Sequence, residues 1–205
     1  MEANINGADC VISQTGFTGE KGYEIYVRDT HENAEKVWNK VLEDGEEFGL
    51  MVIAPAHHRR IAAGILSWGQ DLDHETSPFQ VNLAYQVPRN KKSDYIGKAE
   101  LERQRGVIDS GDAPFKMKMV GITLGGKEIT DYAPDFWLVA DTDGNDMGYV
   151  TSPWWSPELE TNIALAWVPW SSSEVGTKLL VKLPDEYSVT PGEPVEAEVV
   201  NVPFR

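Results

Sequence analysis

The sequence predicts an α+β fold in two parts, a strand-and-helix region followed by a small antiparallel β-barrel. Two observations support this prediction. Over roughly the first half of the chain, strand-like and helix-like patterns follow one another, an order typical of α+β or split-βαβ arrangements. Beyond that point the pattern changes to short β-rich runs separated by turn residues, which is typical of a small barrel or sandwich.

A glycine-rich segment follows the opening strand-like run, Val11-Ile12-Ser13. Three glycines fall close together: Gly16, Gly19 and Gly22. Apolar and polar residues then alternate from Tyr23 to Val27, the period-two pattern of a strand with two different faces. Glu24 is therefore expected one residue inside a strand that follows a glycine-rich turn. This position is suited to hold a polar ligand, because glycines let the backbone approach a ligand closely. An ordinary hairpin end with an exposed acid has the same pattern. The pattern alone favours this alternative, in which Glu24 binds no ligand.

Two helices are expected next. The stretch from Asp29 to Glu32 has the acid-x-x-Glu form of a helix N-terminus, and Gly45 or Gly49 is suited to end this helix. Its apolar face recurs at spacings of three and four: Ala34, Val37, Trp38, Val41 and Leu42. The second helix is expected from Pro55 to Ile65, because proline suits a first helical turn. We expect its buried side to be lined by Ile61, Ile65 and Trp68, with His57, His58, Arg59 and Arg60 mostly elsewhere.

The second half of the chain is predicted to be β-rich. A short helix from Gly97 to Arg105 is expected before it, and the small and polar residues from Gly106 to Pro114 have the composition of a linker. We therefore place a domain boundary at 108/109. Six β-rich runs follow: Val120 to Leu124, Phe136 to Ala140, Met147 to Thr151, Ile163 to Val168, Leu179 to Leu183 and Val195 to Val202.

The composition excludes several classes of partner. The 205 residues include 18 basic and 33 acidic side chains, a net charge of −15, so nucleic acids and anionic membranes are disfavoured. Cys10 is the only cysteine, which excludes a disulfide framework and fits a reducing, cytoplasmic compartment. No apolar run approaches the length of a membrane span. Strand-like residues close to both termini lead us to expect a fragment of a longer protein.

No local sequence motif identifies a reaction that this protein would catalyse. His57 and His58 are adjacent on a predicted helix and point about 100° apart, so they cannot chelate one ion together. The acidic stretch from Asp71 to Glu75 lacks the glycine and closing glutamate of a calcium loop and is interpreted as a solvated loop. No metal site is therefore predicted. Trp154-Trp155 is expected in a turn, where packing on a neighbouring domain is the more common use and ligand contact the less common one.

Several short blocks resemble one known family. Thr15 to Glu24 is similar to the T-G-[YF]-T-G-E-x-G-[FY]-E segment of the glycine-cleavage T-protein, or aminomethyltransferase, family. Other blocks match its continuation in order and spacing: Arg60 to Gly64, Gly69 to Asp73, Ser77-Pro78 and Ile96 to Lys98. Further blocks match its C-terminal barrel: Gly148 to Ser152, Ser156-Pro157, Asn162 to Ala166 and Gly176-Thr177. Each block is weak alone, but together they cover nearly the whole chain and are specific.

The resemblance implies a tetrahydrofolate-dependent one-carbon transferase. Residues 1–108 would form part of the folate-binding domain and residues 109–205 the C-terminal barrel. The family glutamate that matches Glu24 hydrogen-bonds the pterin ring, and Phe17 would lie near the same pocket. The family's catalytic carboxylate matches no residue of this chain, because it belongs to the N-terminal half, so the chain alone is expected to be inactive. The implied partners are a small-molecule methyl donor or, for a true aminomethyltransferase, a lipoyl carrier protein.

The chain also departs from the family pattern. Ala56 stands where aminomethyltransferases have a folate-contacting arginine, and the run from Arg59 to Leu66 is more similar to a demethylase branch that includes dimethylsulfoniopropionate demethylase. Methyl and aminomethyl transfer are both left open, with a lean towards demethylation. Two alternatives remain: a non-catalytic folate-binding relative, and a C-terminal module of a flavin-linked dimethylglycine or sarcosine dehydrogenase.

Overall fold

The computed structural model describes residues 1–204. The chain forms two compact units, Met1–Ala56 and His57–Arg205, and each is described by itself. This division differs from the boundary that composition places at 108/109, because residues 57–116 belong to the same compact unit as the barrel residues. The assignment of domains to 1–108 and 109–205 stays a prediction.

The first unit is a three-stranded antiparallel sheet with one helix. The strands run in the order β1-β2-β3 and the helix α1 follows them. Their bounds are Glu2–Ile5 for β1, Ala8–Ser13 for β2, Glu24–Val27 for β3 and Thr30–Gly45 for α1. A small core joins the sheet to the helix, in which Val37 packs with Ala8 and Cys10. The predicted opening strand, second strand and first helix are all present.

The start of α1 does not use the side-chain cap that the sequence predicts. Asp29 is the N-cap residue but has a left-handed backbone, with φ of 49°, and its carboxylate makes no capping hydrogen bond. Its backbone carbonyl instead accepts from the N–H groups of Glu32 and Asn33. The helix ends at Gly45 as expected, whereas Trp38, predicted on the buried face, is 54% exposed.

The second unit is a closed six-stranded antiparallel barrel with two helices. The strand order around the barrel is β4-β7-β6-β5-β8-β9. The strand bounds are Met117–Leu124 for β4, Trp137–Ala140 for β5, Asp146–Ser156 for β6, Thr161–Pro169 for β7, Lys178–Val181 for β8 and Val195–Val200 for β9. The helices are α2, His57–Ala62, and α3, Lys98–Asp109. All six predicted strands are therefore found, which confirms the α+β class and the small antiparallel barrel.

Strand β7 explains why the region before the barrel belongs to the same unit. Seven consecutive residues of β7, 162 to 168, are buried. Ala164, Ala166 and Val168 point into the barrel core, while Ile163, Leu165 and Trp167 belong to a second core that includes Ile61 of α2. A strand buried on both faces loses the polar alternation of an exposed sheet, and α2 supplies the cover for its outer face.

Helix α2 is shorter than predicted, and its exposure pattern differs. Ile61 is buried as expected, but Trp68 is 60% exposed and Arg60 is 2% exposed. The helix ends at Ala62 and is followed by Gly64 with φ of 72°, a left-handed conformation that stops a helix. The placement of Arg60 away from the buried side was therefore wrong.

A glycine in α3 gives a simple stability test. Gly106 lies inside this helix with a φ outside the left-handed region, and a Cβ there would meet no atom within 4 Å. We expect Gly106→Ala to stabilise the chain by about 0.5–1 kcal/mol, because alanine loses less backbone entropy in a helix. Urea unfolding measures the difference. Gly144→Ala is the matched control: its site is equally open, but φ is 88°, so that variant should lose stability.

Candidate functional site

Glu24 lies where the glycine-rich loop meets the sheet. It is the first residue of β3 and is paired with Ser13, the last residue of β2. Glu24 is therefore the first residue of the strand, whereas the alternation predicts that it is the second. Of the loop glycines, only Gly19 uses a positive φ, 75°. The hairpin register thus holds Glu24 at the mouth of a ten-residue loop, residues 14–23.

The Glu24 carboxylate is anchored through one of its two oxygens. Oε2 accepts a short hydrogen bond from the Thr15 hydroxyl and a second, of 3.0 Å, from the Tyr26 hydroxyl. Both bonds favour the charged form, so the Thr15 hydroxyl first and the Tyr26 hydroxyl second hold the pKa of Glu24 below its usual value. Within residues 1–204, Oε1 has no hydrogen-bond partner. The site therefore presents an ionised, oriented carboxylate with a free acceptor oxygen.

Phe17 is part of the same loop and is 47% exposed. Its position between Gly16 and Gly19 places an aromatic ring in the loop that leads to Glu24. An exposed aromatic ring can stack on a planar heterocycle, and a carboxylate can accept hydrogen bonds from the edge of such a ring. Its contact with a ligand stays a prediction.

A buried ion pair lies in the second unit. Arg60 Nη1 of α2 donates to Asp71 Oδ2 at 2.8 Å, and the two side chains are 2% and 0% exposed. Arg60 Nη2 donates to Ser152 Oγ of β6 at 2.7 Å. The Asp71 carboxylate also accepts from the Ser152 and Thr151 hydroxyls, each at 2.6 Å, and from the Ser67 backbone N–H at 2.7 Å. The network ties α2 and the following loop to the barrel wall.

The network continues towards the surface through Gln70. The Gln70 side chain donates to the Thr151 carbonyl at 2.7 Å and accepts from the Tyr132 hydroxyl at 2.8 Å. Tyr132 also contacts the ring of His57, with centroids 5.4 Å apart. The ring of Trp154 also contacts His57, with centroids 5.2 Å apart. Partial burial first, and then the positive charge of Arg60, lower the pKa of His57, so the imidazole is neutral at pH 7.

These positions correct two interpretations of the sequence. Asp71 is 1% exposed, so it does not belong to a solvated acidic loop, whereas Asp73, His74 and Glu75 are exposed. Trp154 and Trp155 lie in strand β6 and not in a turn. Sequence reasoning missed the ion pair because no local pattern marks a buried arginine, although Arg60 and Asp71 both lie in blocks that carry the family resemblance.

Residues 1–204 contain no group of three or more His, Cys, Asp or Glu side chains arranged to hold a metal ion. Over the same residues, no helix is both long enough and apolar enough to cross a membrane.

Two family models match this chain, one after the other along the sequence. Residues 1–91 match the family model described as "GCVT N-terminal domain", and residues 118–204 match "Glycine cleavage T-protein C-terminal barrel domain". The chain is 33% identical over 205 residues to the aminomethyltransferase of Geobacillus sp. (strain WCH70) and 32% identical to that of Bacillus subtilis (strain 168). The chain belongs to the glycine-cleavage T-protein family. In both alignments the match covers 99% of this chain and 51% of the relative, so the chain spans about half the length of these curated relatives.

A solved structure supports the same fold. The glycine cleavage system aminomethyltransferase T from Bartonella henselae matches with a TM-score of 0.72 and 25% identity, covering 95% of this chain and 49% of that one. The T-protein family and its antiparallel barrel, both expected from the motif blocks, are thereby confirmed. The demethylase branch, the roles of Glu24 and Phe17 and the domain boundary stay predictions.

Proposed function

We propose that this T-protein chain contributes the pterin-binding carboxylate of a tetrahydrofolate-dependent one-carbon transferase. The observation that carries the proposal is the geometry of Glu24. Thr15 and Tyr26 hold one carboxylate oxygen, and the other is left to accept a hydrogen bond from a ligand. The motif block from Thr15 to Glu24 is the one that resembles the family's folate-binding segment.

The residues present fit tetrahydrofolate. A pterin edge carries N–H donors, and an ionised carboxylate oxygen is a strong acceptor for a hydrogen bond from such an edge. Glu24 supplies that acceptor from a rigid strand end, and its lowered pKa keeps it charged at neutral pH. Phe17, exposed in the same loop, offers an aromatic surface. Tetrahydrofolate, when bound, supplies the nitrogen that receives the one-carbon group.

In this proposal the protein works mainly by orientation. Transfer of a one-carbon group requires the accepting nitrogen and the donor to be held in line at near-attack distance. Glu24 contributes by holding one end of the acceptor and fixing its rotation. The family's catalytic carboxylate matches no residue here, so we propose that this chain alone binds tetrahydrofolate without turnover.

The identity of the transferred group rests on one position. Ala56 stands where the resemblance places a folate-contacting arginine in aminomethyltransferases, and His57 follows it with a neutral imidazole. This departure favours methyl transfer from a small-molecule donor over aminomethyl transfer from a lipoyl carrier protein. The carrier partner and a cytoplasmic location belong to the proposal for the whole protein.

The test is tetrahydrofolate binding by the chain and its Glu24 variants. We expect Glu24→Ala to weaken binding about tenfold or more, the scale of a lost hydrogen bond to a charged group. Calorimetry under anaerobic conditions measures this. Because the pKa of Glu24 is lowered, its contribution should persist from pH 8 to pH 5 and disappear only as the pH falls through that lowered pKa, below the usual 4.5.

Glu35→Ala is the matched control, since Glu35 is an exposed acid on α1 of the same unit. It removes the same charge and should leave the affinity unchanged. Equal affinities of the wild type and Glu24→Ala would contradict the role of Glu24. Absence of any tetrahydrofolate binding by the chain would contradict the proposed function as a whole.

A further inference from the structure

An open recess lies on the surface of the second unit. The residues that form it are far in the sequence from Glu24 and its loop. Its volume is about 140 Å³, several times the roughly 30 Å³ that one water molecule occupies in the liquid. We call it the aromatic recess. The residues that line it are Phe136, Tyr149, Trp167, Asp73, Thr76 and those from Gly69 to Leu72.

The three aromatic residues of the recess are held by contacts with neighbouring groups and differ in exposure: Trp167 is 7% exposed and Phe136 is the most open. Tyr149 and Trp167 are directly opposite each other on β6 and β7, so their side chains share one face of the sheet. Trp167 Nε1 donates to the Asp71 carbonyl at 3.0 Å, which fixes the indole. The ring of Phe136 stacks on Tyr149 with centroids 5.3 Å apart and an angle of 17° between the rings. Phe136 is 52% exposed, so part of its ring is accessible to a ligand.

Asp73 is the only uncompensated charge among the side chains that line the recess. Its Oδ1 accepts from the Glu75 backbone N–H at 2.9 Å and from the Thr76 hydroxyl at 3.0 Å. Among residues 1–204, no cation lies within ion-pair distance of Asp73. Asp71, the other lining acid, is already paired with Arg60. Burial first, and then the negative charge of Asp73, raise the pKa of Tyr149, in agreement with a carboxylate near the phenol.

Aromatic faces and a carboxylate around one recess recognise a particular chemistry. The face of an aromatic ring is electron-rich and attracts cations, and a single carboxylate adds a directed charge. A bare metal ion prefers several oxygen ligands, which this recess does not offer. A methylated ammonium suits it, because methyl groups pack on the rings while the positive charge faces Asp73. The net charge of −15 further attracts cations to the surface.

We propose that the aromatic recess is a binding site for a small quaternary ammonium cation. The inference does not rest on tetrahydrofolate binding, because every lining residue belongs to the unit that begins at His57. Failure of one proposal therefore leaves the other standing.

The test is a titration of the 205-residue chain with choline at fixed ionic strength, followed by the NMR signal of the Trp167 indole N–H. We expect saturable binding. The neutral isostere 3,3-dimethylbutan-1-ol has the same shape without the charge, and it should bind about two- to fivefold more weakly, the range of a cation–π contact at an exposed site.

Two variants locate the site. Asp73→Asn keeps the size and both Oδ1 hydrogen bonds but removes the charge, and should weaken choline binding by up to about fivefold, the upper end for an exposed charge pair. Phe136→Leu removes one ring and should weaken it similarly. Asp135→Asn is the matched control, since Asp135 is exposed beside Phe136 in sequence and does not line the recess. Thermal melting confirms that each variant is folded.

Three outcomes would overturn the proposal. A shift that does not saturate indicates no site. Equal binding of choline and its neutral isostere shows that the recess selects shape and not charge. An unchanged affinity in Asp73→Asn, with folding intact, removes the carboxylate from the recognition.

Discussion

Asp71→Ala is expected to lower the free energy of unfolding by about 3–5 kcal/mol, the usual effect of breaking a buried ion pair from one side. The Arg60 side chain is 2% exposed, so its positive charge lies in the interior, where an unpaired charge is costly. Without Asp71 the guanidinium loses the carboxylate that pairs with it at 2.8 Å, while its hydrogen bonds to the Ser152 hydroxyl and the Ile65 carbonyl can remain. The hydroxyls of Thr151 and Ser152 lose an acceptor at the same time, so the damage extends into strand β6.

Urea unfolding monitored by tryptophan fluorescence measures this loss. Asp109→Ala is the matched control, because Asp109 pairs with Arg89 on the exposed surface, where side chains are 45% and 61% exposed; its removal should change stability little. A double variant, Asp71→Ala with Arg60→Met, should recover much of the stability, since replacing both charges with apolar groups removes the buried charge. A loss of less than about 1 kcal/mol in Asp71→Ala would show that the guanidinium is reached by water.

Gly148→Ala is expected to destabilise the barrel by about 1–3 kcal/mol or more, the range seen when extra atoms are forced into a packed structure. A Cβ at Gly148 would lie 2.1 Å from the backbone carbonyl oxygen of Trp167. That atom belongs to strand β7 and cannot rotate away, so β6 and β7 must separate. Gly148 also pairs with Val139 of β5, and three strands are therefore affected.

Hydrogen exchange gives a second measurement for Gly148→Ala. Faster exchange is expected for backbone amides that join β6 to β7 near Tyr149 and Trp167, in addition to a lower unfolding midpoint. Gly106→Ala is the control, because it makes the same chemical change in an open helical position. Unchanged exchange and an unchanged midpoint in Gly148→Ala would contradict the close approach of the two strands.

The sequence predicted well those secondary-structure elements whose signals come from residues close together in the chain. The six barrel strands were found because period-two alternation and turn residues are local signals. The start of α1 near Asp29 was also correct, although the tertiary structure replaced the expected carboxylate cap with a backbone carbonyl. The linker assigned to residues 106–114 was partly helical, since α3 extends to Asp109. Composition indicated a loop there, but it does not report packing.

At the candidate site, too, the sequence predicted a position but not the contacts made there. Glu24 was selected from a glycine-rich turn, an alternating strand and a motif block, and the structure adds the hydroxyl groups that hold it charged. Thr15 is nine residues from Glu24, and the β2–β3 hairpin brings them together. A hairpin is short enough for the sequence pattern to anticipate, so the position of Glu24 could be predicted while its hydrogen bonds could not.

By itself, the sequence determined the family, the α+β class, the barrel strands and the position of Glu24, because motif order, strand periodicity and turn chemistry are all properties of contiguous residues. Only the tertiary structure decided that Arg60 and Asp71 are buried together and that Asp73 faces an aromatic recess. Burial of a charge is favourable only when partners surround it. For Arg60 one of those partners, Ser152, lies 92 residues away, beyond the reach of any local pattern.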